Sequence, residues 1–187
     1  MIARRYAKML PLVLGAVLLA SCGWFGLKKG PEYLVPEADT AAEQFRLAQT
    51  QRASARTVLD AEQRVVEFDK AILAYLAVRD RFPNDTKFTP AAVVFAANIH
   101  RDMQEYNEAV TLYLDAITNY PDQDDVRVDA LYGLGKSYDA MGNVAEAKSY
   151  YKLLADEYAD SPVPTYRRYA NLARVEWEQI RPANPKP

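Results

Sequence analysis

The sequence predicts an all-α fold: a stack of about three helical hairpins closed by a C-terminal capping helix. Three observations carry this. The segments "AILAYLAVRDRFP" from Ala71, "AVTLYLDAITNYP" from Ala109 and "AKSYYKLLADEYA" from Ala147 recur 38 residues apart without drift. Between residues 40 and 181, Gly and Pro fall mainly at intervals, where they separate runs of helical periodicity. The chain has one cysteine in 187 residues, so no intramolecular disulfide can form and packing must supply the stability.

The first element is an export signal. Met1–Lys8 carry Arg4, Arg5 and Lys8, Met9–Ala20 are almost wholly apolar, and Ala20 and Ser21 are small, the order of an n-region, an h-region and a cleavage site. The apolar run is shorter than the roughly 20 residues that span a bilayer, and Pro11 interrupts it. Leu19-Ala20-Ser21-Cys22 resembles the lipobox of bacterial lipoproteins. That resemblance implies that Cys22 becomes the first residue and carries fatty acyl groups on its sulfur and amine. Several chains anchor a protein where one binds only marginally. A lone exposed thiol would otherwise be a liability in an oxidising compartment. The next residue is Gly23 and not the aspartate that retains enterobacterial lipoproteins at the inner membrane, so the expected address is the periplasmic face of the outer membrane.

Loss of residues 1–21 removes three positive charges and leaves 20 Lys and Arg against 25 Asp and Glu. That balance argues against nucleic acid as a partner. Residues 22–39 read as a tether: "WFGLKKGPEYLVPE" has Gly, Pro and aromatics without periodicity. Trp24 and Phe25 suit the lipid interface, and Lys28 and Lys29 suit its headgroups.

The helical domain is expected over 40–181. Thr40 and Glu43 make a capping-box start. Ala55, Leu59 and Glu62 fit the repeat poorly, so the first pair reads as one long helix from about Thr40, bent near Glu67. In the second repeat, Thr89-Pro90 supplies an N-cap with Pro at the first helical position, and Val93, Ala96, Ala97 and His100 follow at helical spacing. In the third, Leu131, Leu134, Gly135 and Tyr138 hold the equivalent places, Gly135 permitting close approach. "MGN" at 141–143 turns the chain, and Asn143 and Glu146 cap the next helix. Each repeat pairs a small Ala with a Tyr four residues on (Tyr75, Tyr113, Tyr151), so ring and gap share one helix face.

These positions resemble the tetratricopeptide repeat, whose W-x₂-L-G-x₂-Y, Ala, aromatic and Pro pattern is helix–turn–helix. The third repeat matches through Leu131, Leu134-Gly135, Tyr138, Ala147 and Tyr151, the second through Val93, Ala97, Ala109, Tyr113, Ala116 and Pro121. The likeness covers roughly residues 50 to 180. The stride exceeds the usual 34 by four, placed in the loops "NDTKFT" and "DQDDVR". "TYRRYANLARVEWEQI" reads as the closing helix, and residues 182–187 read as a disordered tail.

No catalytic constellation is apparent. His100, the single histidine, stands where the third repeat has Tyr138 and reads as packing. No second His or Cys can complete a zinc site, and serine nucleophiles lack a base. Asp122, Asp124 and Asp125 fail an EF-hand loop, which would put Gly and Glu where Arg127 and Gly133 stand. They suit a solvated turn opening a helix. The tyrosines Tyr132, Tyr138 and Tyr150 read as packing beside the three repeat tyrosines. No enzyme, cofactor, metal or small-molecule substrate is expected.

The candidate partner groove is the face of the first helix of each pair. It comprises Asn98, Arg101, Asp102, Asp129, Lys136, Asp139, Arg174 and Trp177, suited to an extended peptide or a helix of an envelope protein. A carboxylate clamp would need a Lys four residues before Asn98, and Val94 is there. Lipobox, stride and aromatic-Pro loops together resemble the tetratricopeptide lipoprotein of the outer-membrane β-barrel assembly machinery. That resemblance implies a lipid-anchored scaffold holding an assembly subunit. The alternatives are a pilotin-like lipoprotein for secretin or pilus subunits and a repeat protein coordinating division or peptidoglycan work.

Overall fold

The computed structural model describes residues 33–180. The signal, Cys22, Trp24–Lys29 and the C-terminal tail lie outside these residues. Among the described residues there are seven helices and no strand: α1 (Ala41–Thr57), α2 (Ala61–Arg81), α3 (Phe88–Asp102), α4 (Tyr106–Asn119), α5 (Asp124–Ala140), α6 (Val144–Tyr158) and α7 (Pro164–Gln179). They form the expected stack, α1–α2, α3–α4 and α5–α6 as hairpins and α7 closing it.

Each helix packs on the next in sequence. In addition, α1 lies against α3, α3 against α5 and α5 against α7, whereas the backbones of α2 and α4, and of α4 and α6, stay apart, α2 and α4 being bridged by the Arg79–Asp115 ion pair at 3.7 Å. The odd-numbered helices are therefore the inner row of a curved stack, and their free face is concave.

The repeat tyrosines explain the stride. Tyr75, Tyr113 and Tyr151 are all completely buried, each the largest fully buried side chain of one core cluster. Burial of such a ring is worth about 1.5–3 kcal/mol. Around Tyr75, Phe95 stacks at 5.5 Å and Phe45 meets it edge-on at 5.5 Å. In the next repeat the place of Phe95 is taken by Gly133, and the ring of Tyr113 fills the vacated space: a Cβ at Gly133 would overlap Tyr113 Cζ. Gly135 is likewise overlain by Tyr151, where a Cβ would overlap the ring.

Three expectations are corrected. The first pair is two helices, not one bent near Glu67. The chain leaves α1 at Val58 and starts α2 after Asp60, whose carboxylate accepts from the N–H of Gln63 at 2.7 Å. A helix-start signal at Asp60 outweighs the helical propensity around it. Second, α3 begins one residue before Thr89. Asp85 Oδ1 accepts from the N–H groups of Lys87 (3.0 Å) and Phe88 (2.6 Å), while Thr89 is fully buried and donates its hydroxyl to the Phe82 carbonyl at 2.7 Å. Third, Asn143 occupies the N-cap of α6 without a side-chain cap bond. Its N–H instead closes the turn on the Tyr138 carbonyl at 2.8 Å.

The Thr40 cap forms as expected, the hydroxyl accepting from the Glu43 N–H at 3.2 Å. Residues 33–39, the end of the segment read as a tether, have no regular secondary structure and are fastened to the first hairpin. Gln44, fully buried, donates to the Pro36 carbonyl (3.1 Å) and accepts from the Ala38 N–H (3.2 Å), and Arg81 pairs with Glu37 at 3.1 Å.

Candidate partner-binding groove

The concave row is floored by small or aromatic residues and topped by charge. On α1, the Arg52 side chain is mostly buried, its guanidinium 5.4 Å above the Phe95 ring and 4.0 Å from Asp102 on α3. Asp102 also accepts from its neighbour Arg101 at 3.1 Å. Burial works to lower the Arg101 pKa, but the Tyr113 phenol, the Asp102 carboxylate and, least, Asp129 of α5 outweigh it and raise it. Asp129 is half-buried between Arg101 and Tyr169 of α7; burial raises its carboxyl above the ordinary value, and Tyr169 and Arg101 oppose that shift. Further along, Lys136 of α5 reaches Glu176 of α7 at 3.1 Å.

Charges of alternating sign therefore cross all four inner helices in order. The groups are partly desolvated but not sealed: the Asp102 side chain keeps 48% of its exposure and that of Lys136 39%. A ladder of this kind offers paired donors and acceptors that an incoming peptide backbone or charged side chain can exchange with, and it specifies register more than raw affinity.

The repeat tyrosines reach toward this face from the outer helices, with unequal outcomes. The Tyr113 hydroxyl donates to Asn98 Oδ1 at 2.6 Å. Asn98 is replaced 38 residues later by Lys136, a donor, and the Tyr151 hydroxyl is buried with no hydrogen-bond partner. The Tyr75 hydroxyl is also without one, as is Nε of its neighbour Arg52. Burial pushes all three phenols up, with Arg101 pulling back on Tyr113.

Of the eight residues expected at the groove, Asn98, Arg101, Asp102, Asp129 and Lys136 are brought together. Asp139 lies on the same helix, half-buried and near Tyr151. Arg174 and Trp177 do not join them: Arg174 bonds only Asn171 of its own helix at 3.2 Å, and both are exposed. Their places in the ladder are taken by Glu176 and Tyr169. Sequence reasoning also missed Arg52, because reading the first pair as one helix left α1 without a facing neighbour.

The remaining polar clusters have structural roles. His100 Nδ1 lies 2.7 Å from Glu105 Oε2 and joins the ends of α3 and α4. Asp124 and Asp125 open α5 and accept from Tyr158 (2.7 Å) and Tyr166 (2.6 Å), tying α5 to α6 and α7. The described residues contain no group of three or more His, Cys, Asp or Glu placed to hold a metal ion.

A curved stack of helical hairpins with a charged concave face defines a protein-interaction solenoid. Residues 129–161, spanning most of α5 and all of α6, match the family model of the tetratricopeptide repeat. That segment is thus similar to the tetratricopeptide repeat, and such repeats are in general non-enzymatic binding scaffolds. In sequence it matches none of the curated proteins.

Proposed function

We propose that the protein is a non-enzymatic scaffold, anchored through acyl groups on Cys22 to the periplasmic face of the outer membrane. There it holds an extended segment of an envelope protein in its concave groove during assembly of outer-membrane β-barrels. The observation that carries the binding role is the run of alternating charges Arg52, Asp102, Arg101, Asp129, Lys136 and Glu176 over the inner helices, paired directly at Arg52–Asp102, Arg101–Asp102 and Lys136–Glu176. The membrane address rests on Leu19–Cys22 at the end of an apolar run, and the assembly role on the resemblance of lipobox and repeat stride to the assembly-machinery lipoprotein.

Depletion of the protein, with outer-membrane barrel proteins quantified, tests the assembly role. A fall in several unrelated barrels is expected. Unchanged barrel levels together with loss of secretin multimers would replace this reading with the pilotin-like one. Metabolic labelling with a fatty-acid analogue tests the anchor: label is expected on the parent protein and absent from Cys22→Ser.

A further inference from the structure

The last helix is built like an inner helix but lacks the partner that inner helices have. Val93, Val94 and Ala97 of α3 are buried with α4, and Val128 and Leu131 of α5 are buried with α6. Helix α7 packs on α5 and α6, yet only Ala170 and Ala173 of its sixteen residues are buried. Among the described residues no helix follows to cover its other side.

That side is one continuous stripe: Arg167, Arg168, Asn171, Leu172 and Val175, spaced by three and four, ending at Glu178. Leu172 is 44% exposed and Val175 45%, although both sit mid-helix. Among the described residues neither Arg168 nor Glu178 has an ion-pair partner; Arg168 only overlies the ring of Tyr169, at 5.8 Å. The stripe is basic at its start, apolar in its middle and acidic at its end.

We propose that this stripe is the interface of a homodimer in which α7 of one copy packs antiparallel on α7 of a second. The charge order selects that occupant and that direction. Reversing the stripe against itself sets Leu172 opposite Val175 and brings Arg168 beside Glu178 of the other copy, twice by symmetry. Parallel packing would instead stack arginine on arginine. A surface complementary to its own reverse is what a two-fold, isologous contact requires. The pairing removes four aliphatic side chains from water and supplies the side packing that α3 receives from α4.

Sedimentation equilibrium of the full chain in density-matched detergent tests this, with helicity of each variant checked by circular dichroism. The parent is expected to show a reversible monomer–dimer equilibrium. Arg168→Glu should weaken it about tenfold or more, since both symmetric pairs become repulsive. Arg168→Glu combined with Glu178→Arg restores opposite charges and should recover the dimer. A parent that stays monomeric at every concentration overturns the proposal and leaves the stripe to a helix of another protein. A dimer indifferent to Arg168→Glu, or a double variant that does not recover, overturns it equally.

Discussion

Gln104 and Gly142 occupy the same turn of successive repeats and both have positive φ, 64° and 78°. In each, the following residue donates five positions back, Glu105 to the His100 carbonyl (2.9 Å) and Asn143 to that of Tyr138 (2.8 Å). This closing bond ends an inner helix with one left-handed residue. Glycine adopts that conformation freely, whereas a side chain costs roughly 1 kcal/mol there. Gln104→Gly is therefore expected to stabilise the fold by about 0.5–1 kcal/mol, measured by urea denaturation. No gain, or a loss, would show that the Gln104 side chain contributes something its exposed position does not reveal.

Replacement of Gly135 by alanine should act in the opposite direction. Alanine improves helix propensity by about 1 kcal/mol, but its Cβ would overlap the Tyr151 ring, and that ring is fully buried. Overpacking of this kind costs about 1–3 kcal/mol, so the clash outweighs the propensity gain. Gly133→Ala, against Tyr113, should behave alike. Thermal unfolding of the variants checks both, and an unchanged midpoint would mean that the helix crossing is looser than these contacts imply.

The repeat tyrosines allow an internal comparison. Tyr113→Phe strands the Asn98 acceptor and should cost about 0.5–1.5 kcal/mol. Tyr151→Phe deletes a buried hydroxyl that has no partner, so it should be neutral or stabilising. Equal losses at the two positions would contradict the assignment of a bond at Tyr113 alone.

Asp129 links stability to pH. Its pKa in the fold is raised above the ordinary 3.8, chiefly by burial. A raised carboxyl favours the fold fully only below the unfolded value, and that contribution is lost as pH rises through the folded one. Asp129→Asn has no such loss. Relative to the parent it should therefore gain stability between pH 4 and pH 7, compared by denaturant titration at the two values. A difference that does not change with pH would count against the shift.

Much of the fold was legible because its period is carried by side chains that packing cannot exchange. The Ala–Tyr pairs at Ala71, Ala109 and Ala147 mark the outer helices, and Gly135 marks a crossing. The break at Val58–Asp60 was missed although Asp60 and Gln63 carry a helix-start pattern, because the residues around it are good helix formers. The register in which α3 and α5 repeat one another placed Asn98, Arg101, Asp102, Asp129 and Lys136 on one face, and the fold brings them together. On α7, Glu176 and Tyr169 face the ladder, whereas Arg174 and Trp177 lie exposed outside it.

The narrow footing of α7 has a consequence for the order in which the molecule comes apart. In a linear array each unit leans only on its neighbours, and a terminal unit held through two alanines and a few tyrosines is the weakest joint. Amide hydrogens of Asn171–Gln179 should exchange by local fraying, well before those of Ala91–Ile99 at the centre. When α7 peels away, Glu176 and Tyr169 leave with it, so the C-terminal end of the array also controls how much of the ladder exists at any instant.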